Sequence, residues 1–322
     1  MLRFFVFSLL VAFLLVSSRK LTTEENEQNR ENCGVHFLGG EENNRISKRS
    51  YGRRRFKENE YPWTVILLLK DSRDRCSGAL ISQRHVLTAA HCMVKMNDTY
   101  NEKQCNSDKK YDVLSATRDP GEVSVFLSGN ITECSSSGEC SHYSPAEVTL
   151  HNYDICDHYS DLAIIELSEN VSETLATPIC MPSENLELEH ALHAAGYGLE
   201  DDHSSRVPQV VAQMYYGVDE NSHIIVTRTF AKAIPHWGRG GPLFQMVKNL
   251  HTLMGINTKK DTGCVKSDVG KDCVAIYVDV RAYLDWICKY SGVCPTEDDS
   301  NGEQSNEASN STQKNSKNNI KS

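Results

Sequence analysis

"CSGALISQRHVLTAAHC", residues 76–92, is the stretch on which the reading of the fold turns. Its interior is a short strand-like apolar run. It opens and closes on cysteine, with His91 immediately before the second. A histidine on its own is more often a satisfied structural residue than a catalytic one, so the meaning of His91 depends on the rest of the chain.

The compartment comes first. "MLRFFVFSLLVAFLLVSS", residues 1–18, carries Arg3, an apolar run from Phe4 to Val16 and a small-residue close, and so reads as a signal peptide. A membrane anchor is the weaker reading, because the run is short for a bilayer span and no later stretch is long and apolar enough. Twelve cysteines, with no paired C-x-x-C spacing, then argue for disulfides in an oxidising environment over a zinc site. The chain is expected to be secreted and extracellular, and to need no cofactor or metal. Asn97, Asn130, Asn170 and Asn310 open Asn-x-Ser/Thr triplets and are candidate glycan acceptors. A net charge of −9 disfavours nucleic acid, heparin and acidic membrane surfaces as partners. The exception is "KRSYGRRRFK", Lys48 to Lys57, whose six basic residues form either a processing site or a solvated loop.

Composition divides the remainder. Residues 19–49 are polar apart from "CGVHFLGG" around Cys33 and read as a pro-segment. The end of the chain, 291–322, turns to Ser, Asn, Glu and Lys from Pro295 onward and is expected to be disordered. Between them, residues 50–290 suffice for one large domain or two small ones sharing an interface. Their apolar runs, among them "WTVILLLK", "EVSVFLS", "DLAIIEL" and "HIIVTRTF", are short and separated by turn formers. Helical periodicity is confined to "VRAYLDWICKY", which places Val280, Tyr283, Leu284 and Ile287 on one face. The coarse expectation is all-β with a C-terminal helix.

With its strand and its "LTAAHC" close, the opening stretch resembles the catalytic-histidine segment of the trypsin and chymotrypsin family of serine proteases. The resemblance places His91 at the general-base position and implies a Cys76–Cys92 bridge. "DLAIIEL" is similar to the segment that supplies the family's orienting aspartate. Asp161 fits because the apolar strand follows it at once, with Asp157 as the competing choice. A buried carboxylate there accepts the Nδ1 proton, fixes the tautomer and stabilises the imidazolium. "PICMP" places Cys180 where the family tethers an N-terminal cysteine, for which Cys33 is the candidate. "HAAGYG" resembles a glycine-rich strand end, with Tyr197 where tryptophan is usual, and "MGIN" and "AIYVDVRAYLDWI" match the last strands and helix. The resemblance covers about residues 50–290 and implies two six-stranded antiparallel β-barrels with a cleft between them.

The family's nucleophile motif, Gly-Asp-Ser-Gly-Gly-Pro, has its counterpart in "WGRGGP", with Trp237, Gly238 and Arg239 in the first three places. Arg239 has no oxygen to attack with, and its guanidinium does not deprotonate. Trp237 stands at the oxyanion-hole position, where a glycine N–H is expected to face the developing charge. Gly238 removes the carboxylate that would pair with a new amino terminus, which cleavage after Arg49 would place at Ser50. Ala233 replaces an acidic specificity residue, and "NTKKDTGC" replaces the Ser-Trp-Gly wall. The cysteine expected near Pro235 is missing, leaving Cys264 with Cys273 as its local candidate partner. Cys105, Cys134, Cys140 and Cys156, between His91 and Asp161, are left unpaired. Two placements of Arg239 are open: competing with His91 for the Asp161 carboxylate, or swinging into solvent.

The resemblance therefore implies a serine protease homologue with a vestigial His91 and Asp161, acting by binding extracellular proteins such as active proteases or their substrates. The alternative is an active endopeptidase with an atypical nucleophile, for which Thr227 and Thr229 are the nearest hydroxyls in sequence. A structural or storage glycoprotein is the third reading.

Overall fold

The computed structural model describes residues 20–35, 54–57, 60–70, 75–95, 105, 116–127, 142–157, 159–199, 206–229, 238–258 and 273–295. The first half is an antiparallel sheet of six strands: β2 (Thr64–Leu69), β3 (Arg75–Ser82), β4 (His85–Thr88), β5 (Val123–Leu127), β6 (Pro145–Leu150) and β7 (Ala163–Leu167). Their spatial order is β5-β2-β3-β4-β7-β6. The sheet rolls until Val125 of β5 exchanges both backbone hydrogen bonds with Tyr143, two residues before β6.

The second half comprises β8 (Ala191–Leu199), β9 (Arg206–Asp219), β10 (Ile224–Thr229), β11 (Pro242–Val247), β12 (Leu250–Asn257) and β13 (Cys273–Asp279). Here β8 pairs with both β11 and β9, so the six strands close into a barrel. A two-residue strand, β1 (Arg54–Arg55), adds to the outside of β9. Two six-stranded antiparallel units and a C-terminal helix are the architecture that the resemblance implies.

Both faces of β2 and β3 are buried, which is why "TVILLL" and "CSGALIS" read as nearly unbroken apolar runs rather than as alternation. The halves meet through aromatic packing. Trp63 and Tyr61, at the entrance to β2, lie edge-on or tilted against Phe244 of β11, with ring centroids 5.9 and 5.4 Å apart. Buried residues of both halves belong to one core.

Part of the basic run is built into the sheet. Arg54 and Arg55 pair with Val210 and Gln209, the Arg54 guanidinium bonds Glu60, and Phe56 is buried with its N–H donating to the Pro208 carbonyl. Arg54 and Arg55 thus lie on a strand edge with their side chains exposed, and the Lys57 N–H donates to the Glu60 carboxylate. Arg49 and Ser50 lie outside the described residues.

The segment read as a pro-segment holds a helix, Thr23–Asn32, that no periodicity announces. Thr22 and Glu25 cap its start reciprocally. It docks by polar contacts rather than an apolar stripe. Buried Asn26 donates to the Cys294 carbonyl and accepts from the Cys294 N–H, Asn29 donates to the Ile81 carbonyl, and Glu25 pairs with Arg84. The chain leaves this helix through Cys33, bridged to Cys180, and Gly34, whose positive φ of 71° fits it against His251.

The C-terminal helix, Leu284–Ser291, follows a single 3-10 turn over Val280–Tyr283, and Val280, Tyr283, Leu284 and Ile287 are all buried. Gly292, in the left-handed region, reverses the chain so that Cys294 reaches back to Cys288. Residues 291–295, placed above with the tail, thus belong with the folded body.

Candidate active site

The site is built where the first sheet faces the β11 loop of the second barrel. Strand β4 ends at Thr88, and a single 3-10 turn, Ala90–Cys92, carries His91 inward, leaving it 5 % exposed. Asp161, immediately before β7, is fully buried. Strands β4 and β7 pair with Thr88 opposite Ala163, so their register brings the two residues together. The Asp161 carboxylate accepts from the His91 backbone N–H at 2.8 Å through Oδ1, and its Oδ2 lies 2.7 Å from His91 Nδ1. Asp157 is exposed and donates its N–H to Asp154 in a surface turn, so Asp161 is the partner.

Thr258 supplies a third contact, its hydroxyl donating to Asp161 Oδ2. Burial alone would push the Asp161 carboxyl upward. The His91 ring, the Thr258 hydroxyl and the His91 N–H outweigh it and hold the group below the usual carboxylate range. Thr258 was hidden in the polar run "NTKKDTGC". The signal that could have found it is a hydroxyl at the first place of the Ser-Trp-Gly wall.

The Asp161 carboxylate is thus held by two contacts from His91 and one from Thr258. The backbone of Arg239 sits where the motif places it. Its carbonyl accepts from the Ser77 N–H at 2.7 Å, and Ser77 Oγ in turn accepts from the Tyr197 N–H at 2.8 Å. Gly238 and Gly240 both hold positive φ, at 61° and 76°. Gly240 lies against Thr88 and Ser77, Gly241 against the Ala195 carbonyl, and Gly196 against Gly238. The loop thus keeps the tight glycine packing of a nucleophile loop while presenting arginine at its centre. Trp237 and Ala233 lie outside the described residues, as do Cys134, Cys140, Cys264 and the side chain of Cys273.

The alternative hydroxyls are placed elsewhere. Thr227 is fully buried within the second barrel and donates to Gln213 Oε1 at 2.7 Å, and Thr229 is buried two residues on. Asn170 is exposed, whereas Asn97, Asn130 and Asn310 are outside the described residues.

Disulfides bracket the histidine. Cys76 is joined to Cys92 directly beside it, and Cys105 to Cys156, which ties the segment after His91 to the loop before Asp161. Together with Cys33–Cys180 and Cys288–Cys294, these are the bridges among the described residues.

Two rolled antiparallel units, a buried histidine-aspartate pair drawn from the first and a glycine loop from the second define a trypsin-like serine protease fold. A model of the nematode trypsin-6-like family matches residues 3–294, and the chain belongs to that family. It is also similar to the CLIP domain-containing serine protease B4 of Anopheles gambiae, 23 % identical over 284 residues, covering 80 % of this chain and 71 % of that protein. The proclotting enzyme of Tachypleus tridentatus is 25 % identical over 290 residues, covering 80 % and 68 %. Phenoloxidase-activating factor 3 of Holotrichia diomphalia is 27 % identical over 259 residues, covering 71 % and 68 %.

Proposed function

We propose that this chain is a secreted serine protease homologue that has lost hydrolysis and acts by binding extracellular proteins, as a cofactor or regulator of proteolysis. The observation that carries the reading is Arg239 at the centre of a glycine loop that packs against the end of the strand leading to His91, whose pairing with Asp161 and Thr258 is assembled. The relay can orient an imidazole and support its positive charge. Without a hydroxyl or thiol at residue 239 there is no proton for it to take and no acyl intermediate to form. In an unrelated serine protease, loss of the nucleophile alone costs on the order of 10⁶ in turnover.

Binding is the use left to a fold that keeps its histidine-aspartate pair and glycine loop but carries arginine at the nucleophile position. The names of the similar proteins, a proclotting enzyme and a phenoloxidase-activating factor, suggest a partner within an extracellular proteolytic cascade. The signal peptide and the disulfides fit an extracellular address.

The test has two arms. Purified protein, intact or cleaved after Arg49, is offered a broad peptide panel and a fluorophosphonate probe, with no turnover and no labelling expected. Cross-linking in the fluid into which the protein is secreted should then capture a saturable protein complex. Hydrolysis that persists through purification and vanishes in His91→Ala would establish the active endopeptidase instead.

A further inference from the structure

We propose that the first N-acetylglucosamine of a glycan on Asn170 seats in the cavity between the N-terminal helix and the β3–β4 turn, and pins that helix to the first sheet. The inference rests on the secreted address and not on the loss of hydrolysis.

The cavity supplies the first argument. Its volume is about 350 Å³, near the lower end of ligand pockets, which suits one pyranose ring rather than a longer sugar chain. Gln28, Glu31 and Asn32 line it from the helix, Gln83 and Arg84 from the turn, and Glu173 and Thr177 from the chain that follows β7. Leu21, Ala176 and Pro178 add an apolar lining.

The second argument is that this lining carries unmet polar groups. Thr177 is only 8 % exposed, yet its hydroxyl bonds no described residue, and the side chains of Gln28, Glu31 and Asn32 bond none either. A buried hydroxyl without a partner is costly, so Thr177 marks where a ligand oxygen belongs. An acetamido sugar matches the set. Its carbonyl accepts from a hydroxyl or an amide, its own hydroxyls and N–H donate to a carboxylate, and its methyl group meets the apolar lining.

The third argument is the tether. Asn170 opens the triplet Asn-Val-Ser and is exposed. The next residue, Val171, donates its N–H to the Gln83 carbonyl at 2.7 Å, and Glu173 accepts from Gln83 Nε2. Asn170 thus stands beside residues that line the cavity. A sugar fixed there is held at high effective concentration, so a shallow polar seat suffices. In the transfer, the Asn170 amide nitrogen bonds to C1 of the sugar and gives up one proton. The bond from C1 to the diphosphate of a polyprenol-linked donor breaks, and the polyprenol diphosphate leaves with the electron pair. The helix docks otherwise through Glu25, Asn26, Asn29 and the Cys33 bridge, and a sugar bonded to both walls adds to those contacts.

The test uses the full chain, secreted from a host held to high-mannose glycans and mapped by mass spectrometry. Asn170 is expected to be occupied. Protein in the medium with Asn170 bare would overturn this inference alone, whereas protein retained in the cell without any glycan would overturn the secreted address and this inference with it. Glycans are then cut back to one sugar with an endoglycosidase or removed with a peptide N-glycosidase, and amide exchange is followed over residues 23–32. One sugar should protect the helix as well as the whole glycan does, and full removal should speed exchange by about 2- to 10-fold, the worth of a hydrogen bond or so. Asn170→Gln should exchange fast throughout and respond to neither enzyme, so that any sugars at Asn97 and Asn130 cancel. Thr177→Val should shrink the difference between one-sugar and stripped protein, and the acetyl methyl group of the remaining sugar should show nuclear Overhauser contacts to Ala176. Equal exchange in one-sugar and stripped protein, the same trimming response in Asn170→Gln, or an undiminished difference in Thr177→Val would each overturn the proposal.

Discussion

Gly240→Ala tests why the loop around Arg239 keeps its glycines. Gly240 sits at φ 76°, and a Cβ there would stand 2.4 Å from Thr88 Oγ1 and 2.5 Å from the Ser77 carbonyl oxygen. Neither neighbour is free to yield, because the Thr88 hydroxyl donates to that same carbonyl at 2.7 Å. The left-handed conformation costs an alanine about 1–2 kcal/mol. Forcing a methyl group into filled space costs about 1–3 kcal/mol more. The expected loss is thus about 2–5 kcal/mol, read as a lower urea midpoint with the disulfides intact. Gly121→Ala and Gly217→Ala serve as comparators, since a Cβ at either meets nothing within 4 Å, and each should shift stability by less than about 1 kcal/mol. A Gly240→Ala protein within about 0.5 kcal/mol of the parent would refute the claim that this loop is retained for packing against the histidine strand.

Three further outcomes are expected. Arg239→Ser should restore no hydrolysis in a sensitive fluorogenic assay, because Trp237, Gly238 and Ala233 still depart from the catalytic pattern. Asn26→Ala should destabilise by about 1–3 kcal/mol, since it strands both the N–H and the carbonyl of Cys294, and should speed amide exchange at the end of the C-terminal helix. His85, fully buried with Nδ1 2.8 Å from Ser82 Oγ, is pushed down to about 3 by burial first and Arg84 second. Its folded value is depressed, so its contribution is fully present above about pH 6.5 and is lost as pH falls toward about 3, at up to about 1.4 kcal/mol per pH unit. His85→Gln should flatten that limb of a stability-versus-pH curve, and an identical limb in the variant would refute the assignment.

The fold was legible where local sequence and burial coincide. "LTAAHC" and "DLAIIEL" put His91 and Asp161 at the ends of strands whose apolar residues leave little choice of face, and the register of β4 with β7 does the rest. The four apolar positions from Val280 to Ile287 were equally readable, since a single stripe enters the core. The N-terminal helix was not, because it docks through Asn26, Asn29 and Glu25 to groups hundreds or tens of residues away, and such contacts leave no period in the chain. Cys105–Cys156 and Cys288–Cys294 were invisible for the related reason that spacing does not specify pairing. Thr258 was missed because its role depends on Asp161, 97 residues earlier.

That the histidine-aspartate pair survives beside an arginine does not require catalysis to have maintained it. Asp161 has no solvent exposure, and its negative charge is balanced by three contacts, two of them from His91. Taking away one member of a buried charged pair commonly costs about 3–5 kcal/mol, because the remaining charge is left without a partner. A single step from Asp161 to an apolar residue would strand the His91 N–H, His91 Nδ1 and the Thr258 hydroxyl instead. Only a concerted replacement of all three would be cheap. The nucleophile position carries no such constraint, since its backbone is held through the Arg239 carbonyl and the flanking glycines. A change at residue 239 can therefore leave the pair in place, as His91 and Asp161 stand in this chain.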